Sequence, residues 1–139
     1  MLNVLLITLG ALLAPASVTT QQPDQGLACF ENLQAPDYPA AALHGHIDGS
    51  VWTNTHVSPQ GTINNIDVDV ASAWSNGPKL LTPPVEKVIH EAKIKSACDG
   101  KTISVVFRYQ LHGEPIANPK PTSRTEAPNI MWIESQPKS

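Results

Sequence analysis

From Ser50 onward apolar and polar positions alternate: Val51, Thr53, Thr55 and Val57 fall on one side, Trp52, Asn54 and His56 on the other. A period of two marks a strand with one buried face, because successive side chains of an extended chain point in opposite directions. Ser58-Pro59-Gln60-Gly61 then predicts a turn, with Pro59 pre-setting φ at the second position and Gly61 free of steric restriction at the fourth. In the next stretch Ile66, Val68 and Val70 alternate with Asp67 and Asp69, so the two strands are expected to form a hairpin.

The period then lengthens. Residues 71–81 read as a loop, and Thr82-Pro83 offers an N-cap followed by a first-turn proline, which predicts a helix over 82–93. Val85, Val88, Ile89 and Ala92 form one apolar stripe, while Glu86, Lys87, His90, Glu91 and Lys93 face outward. That stripe needs an apolar partner. Segment 102–111 offers one, since Ile103, Val105, Phe107, Tyr109 and Leu111 share a face opposite Ser104, Val106, Arg108 and Gln110. Cys98-Asp99-Gly100 predicts the turn that joins them. A short helical turn is expected after Pro39, where alanines follow and Gly45 ends the run. Residues 114–139 read as a flexible, proline-rich tail in which 129–134, alternating Ile130 and Trp132 with Met131 and Ile133, predicts an extra C-terminal edge strand.

At 139 residues the chain holds one domain with a modest core. Nine basic against twelve acidic residues give a net charge of −3, and no basic patch is interleaved with aromatics, which argues against nucleic acid as a partner. The first sixteen residues carry no charged side chain and end at Ala14-Pro15-Ala16, the pattern of a cleavable export signal. Residues 1–16 are read as that signal and 17–37 as a polar leader, so a periplasmic or secreted location is expected. The competing reading is an uncleaved anchor, although the apolar run falls short of the about 20 residues a bilayer requires. Export suits the two cysteines, Cys29 and Cys98, which are expected to join in a disulfide. Lipidation of Cys29 fits less well, because Thr19 to Gln25 separates it from the apolar run.

Leu43 to Gly49 places His44, His46 and Asp48 at alternate positions, a spacing that looks like the start of a dinuclear metal-hydrolase signature. A hydrolytic metal centre needs three or more ligands around one point and an open position for water. His56, His90 and His112 are the remaining histidines, and His90 is expected on the solvent side of the helix. The simpler reading is solvated loop histidines, with a small metal-dependent hydrolase using His44, His46 and Asp48 as the alternative. Asp67 and Asp69 share a strand face but read as the wet side of a one-sided sheet, where burial offers nothing to raise a carboxyl pKa. No catalytic group, metal, cofactor or small-molecule substrate is therefore expected.

The order strand, turn, strand, helix, strand coincides with particular residues: Tyr38-Pro39, Gly49 and Val51 at the first strand, Pro59 to Gly61 at the turn, then Ser75 to Leu81 and the helix, then Asp99 to Gly113. Over residues 38–113 the chain resembles the TonB C-terminal domain family. The resemblance implies an α+β fold with a three-stranded antiparallel sheet packed against one main helix. It also implies a non-catalytic energy transducer that binds a short extended segment of an outer-membrane transporter by strand addition, coupling an inner-membrane motor to uptake across the cell envelope. An exposed edge has unpaired N–H and C=O groups that a partner strand satisfies. On this reading the edge of strand 102–111 is the contact surface. Ser104, Val106, Arg108 and Gln110 shape selectivity there, and Trp52 serves as a partly exposed anchor. Self-pairing through open edges is the other partner expected, and 129–134 is expected to fold back onto the edge where a transporter segment would bind.

Overall fold

A computed structural model describes residues 26–139; the export signal expected at 1–16 and the leader up to residue 25 lie outside the described residues. The described chain begins with a 3-10 turn, Leu27–Cys29, and a two-residue strand β1 (Phe30–Glu31). The short helix α1 (Ala40–His44) follows Pro39 and stops at Gly45, as the alanine run predicts. Strands β2 (Gly49–Val57) and β3 (Ile63–Ala71) form the expected antiparallel hairpin, with a register shift at His56/Val57 just before the turn. Helix α2 (Gly77–Glu91) leads to β4 (Lys93–Ile94), which pairs with β1, and then through a 3-10 turn to β5 (Thr102–Leu111). Two further strands close the chain, β6 (Thr122–Glu126) and β7 (Ile130–Ser135).

The fold is α+β with one main helix, but its principal sheet has five strands rather than three, in the order β3-β2-β5-β7-β6. β5 pairs antiparallel with β2 as expected and takes β7 in parallel on its other side, from Val106 opposite Ile130 to Leu111 opposite Ser135. Strand 102–111 is therefore interior over most of its length. The predicted strand at 129–134 is present almost in place, whereas β6 lies in a stretch expected to be flexible. Its five residues are all exposed, so no buried row imprints an alternation on the sequence.

One face of the sheet carries the core. Val51, Ile103, Val105, Phe107 and Ile133 of the sheet are almost wholly buried in one core cluster with Leu81, Val85 and Ile89 of α2, the helix itself lying over β3 and β2. Each such side chain contributes about 1.5–3 kcal/mol through removal from water. The apolar stripe of the helix is as expected at Val85, Val88 and Ile89, but α2 starts at Gly77, ahead of the expected 82. Pro83 and Pro84 stand inside it, where each removes a backbone bond at a cost of about 3 kcal/mol. Fully buried Leu81 shows what offsets part of that cost: the turn ahead of the prolines inserts a core side chain. No helix among the described residues is long and apolar enough to cross a membrane.

Tyr38 and Tyr109 lock the N-terminal approach to the sheet. Their rings meet edge to face at 5.0 Å, the Tyr38 hydroxyl donates to the Ile47 carbonyl over 2.7 Å, and that of Tyr109 donates to the Asp37 carbonyl over 3.3 Å. Burial, reinforced by Asp48, pushes the Tyr38 phenol well above its usual range. Burial does the same to Tyr109, with Tyr38 and Asp37 adding to it.

Candidate interaction surface

Among the described residues no helix covers the sheet face away from α2, and pairing registers bring its side chains into rows. Trp52 on β2 stands between Asp69 on β3 and Val106 on β5, and Val106 is in turn opposite Ile130 on β7. Trp52 is 49% exposed, as an anchor requires. Val106 is on the expected face but only 5% exposed, so it cannot offer its side chain to a partner. Ser104 is engaged within the chain, its hydroxyl donating to Asn54 Oδ1 over 2.5 Å. Gln110 is opposite Glu134.

Arg108 is drawn into a stack that the sequence does not reveal. Its guanidinium lies 5.5 Å from the Trp132 ring centre, and that of Arg124, on β6, lies 4.5 Å from the same ring. Trp132 Nε1 donates to Glu126 over 2.9 Å and Arg124 to Glu134 over 3.4 Å. Arg108 Nε is shielded from solvent without a hydrogen-bond partner among the described residues. Val106, Arg108 and Gln110 thus lie where β5 is flanked by both β2 and β7, Ser104 lies on β5 just ahead of the β7 ladder, and of the five expected contact residues Trp52 alone is broadly exposed.

Cys29 and Cys98 are joined in a disulfide, as expected for an oxidised chain. His44 and His46 are exposed, and no group of three His, Cys, Asp or Glu side chains that could hold a metal ion occurs among the described residues. His56 is elsewhere, lying 2.7 Å from Asp67 and 3.1 Å from the Thr102 hydroxyl, and His112 is 3.6 Å from Glu134.

The edges decide what the sheet can bind. The N–H of Val106 donates to Asn129, so even-numbered residues of β5 turn their main-chain groups to β7 and odd-numbered ones to β2. Registers carry this alternation across: odd residues of β2 face β5, even residues face β3, and residues 65, 67, 69 and 71 answer them. The main-chain groups of Ile66, Val68 and Val70 consequently point away from the sheet, and β3 has no second neighbour among the described residues. At the other end, β6 is bracketed by Pro119, Pro121 and Pro128 and has no buried row. Prolines and short charged strands blunt an edge. Strand order, which no single segment encodes, is what sequence reasoning lacked when it placed the edge on 102–111.

Comparison with protein-family models, with curated proteins and with solved structures finds no match to this chain.

Proposed function

We propose that this protein is a non-catalytic interaction module of the cell envelope that takes up an extended segment of another protein by strand addition, as its resemblance to TonB C-terminal domains implies. One observation carries the reading: β3 spans nine residues and ends the sheet with outward main-chain groups at Ile66, Val68 and Val70 that lack partners among the described residues. Main-chain pairing supplies affinity in such binding, and alternate side chains supply selectivity. The hairpin, helix and third strand follow the order of that family, whose partners are outer-membrane transporters. Because β7 pairs with β5 over Val106 to Leu111, the receiving edge in this chain is assigned to β3.

The test is selection from a displayed library of random ten-residue segments against the full chain, followed by amide exchange of the complex. Enriched segments should slow exchange at Ile66, Val68 and Val70. Val68→Pro should abolish their binding while sparing the β2–β3 ladder, since the lost N–H faces outward. Failure to enrich any segment, or protection confined to another edge, overturns the proposal.

A further inference from the structure

We infer that the segment added to β3 carries basic side chains at alternate positions, two of them opposite Asp67 and Asp69, with apolar residues between. The inference rests on strand addition at β3 and names the chemistry of its partner.

Asp67 and Asp69 are exposed on the open face of the edge strand. Residues directly opposite each other in a ladder share a face, and opposite charges there stabilise while like charges destabilise. The alternation of main-chain groups sharpens this. Ile66, Val68 and Val70 would make the bonds to an antiparallel partner, which leaves Asp67 and Asp69 at the non-hydrogen-bonded positions, where Cα atoms approach to about 4.5 Å and side chains are closest. Asp69 has no ion pair among the described residues, whereas Asp67 is held by His56 and by Asn65, whose side-chain amide donates over 3.2 Å. On the other face Ile66, Val68 and Val70 are half-buried at the rim of the core, so apolar residues of the added strand would extend an existing apolar row.

The same geometry disfavours a second copy of the chain in the register that pairs most of the edge. Antiparallel self-pairing centred on Val68 sets Asp67 of each copy against Asp69 of the other, two like-charge pairs at the closest positions. The net charge of −3 further favours a cationic partner.

Two ten-residue peptides test the inference against the full chain, one alternating lysine with valine and one alternating glutamate with valine. Binding is followed by fluorescence anisotropy and its location by amide exchange. The lysine peptide should bind roughly tenfold or more tightly than the glutamate peptide, with protection at Ile66, Val68 and Val70. The preference should reverse in Asp67→Lys/Asp69→Lys and vanish in Asp67→Asn/Asp69→Asn. Equal binding of both peptides with β3 protected overturns the charge rule and leaves strand addition standing. Absence of binding by either peptide, or binding that leaves β3 unprotected, overturns strand addition at this edge as well. Dimerisation of the unmodified chain that Val68→Pro abolishes would assign the edge to a second copy and overturn the inference.

Discussion

The main-chain N–H of Val106 donates to the carbonyl of Asn129 over 2.8 Å, and this bond opens the parallel ladder that seats β7 on β5. β7 is part of the core as well as a neighbour. Met131, Ile133 and Ser135 are buried, while Ile130, Trp132 and Glu134 turn to the open face. Ile133→Ala should therefore cost about 2–5 kcal/mol by urea denaturation. A chain ending at Gly113 should lose its cooperative unfolding transition, because removal of β7 bares Phe107 and Tyr109; an unchanged transition would mean that the tail only rests on the sheet.

The disulfide makes a second prediction. Cys29 and Cys98 are 69 residues apart, and closing a loop of that length is worth about 4 kcal/mol on the chain-entropy account. Replacing both with serine should lower stability by about 2–5 kcal/mol, read from denaturation midpoints with and without reductant. The variant itself should be indifferent to reductant.

The tyrosine pair predicts alkaline sensitivity. Folding raises both phenol pKa values above the ordinary 10.0, so the folded state holds protons that the unfolded chain releases. Their contribution is complete below that value and declines as the pH climbs past it, ending only where the folded phenols ionise. For Tyr109 the slope should approach about 1.4 kcal/mol per pH unit. Tyr109→Phe should flatten the decline, and since the chain has two tyrosines, phenolate absorbance on unfolding reports both.

Tyr38→Phe tests the approach to β2 separately. It leaves the Ile47 carbonyl without the donor it has at 2.7 Å, which should cost about 1–3 kcal/mol near neutral pH. Trp52→Ala is the contrasting change: its side chain is half exposed and outside the core, so stability should move by about 0.5 kcal/mol or less. Loss of peptide binding by that variant at unchanged stability would mark Trp52 as part of the contact surface.

Local periodicity made the β2–β3 hairpin, the stripe of α2 and the inward face of β5 legible, because each buries one regular row of side chains. The start of α2 was hidden by Pro83 and Pro84, which act as stop signals unless a buried Leu81 lies ahead of them. β6 was hidden for the opposite reason, as a strand without a buried side chain leaves no alternation. The candidate site was half legible. Asp67 and Asp69 stood out as the wet face of a strand, but that β3 rather than β5 offers the free edge depends on β7 pairing with β5. Such a long-range pairing is decided by the whole sheet. The stack of Arg108, Trp132 and Arg124 joins residues from three strands and was unreadable for the same reason.

The covalent tie between Cys29 and Cys98 also sets the path of any tension applied to the chain ahead of Gly26. Load entering there reaches a covalent junction at Cys29, three residues on, and crosses directly to the approach to β5. The hairpin of β2 and β3 and helix α2 all lie within the bridged loop, so the bond keeps that loop from being drawn out from its N-terminal end. A pull from ahead of Gly26 would thus reach the sheet at the approach to β5, and reduction of the bond would let it enter through β1, α1 and the start of β2 instead.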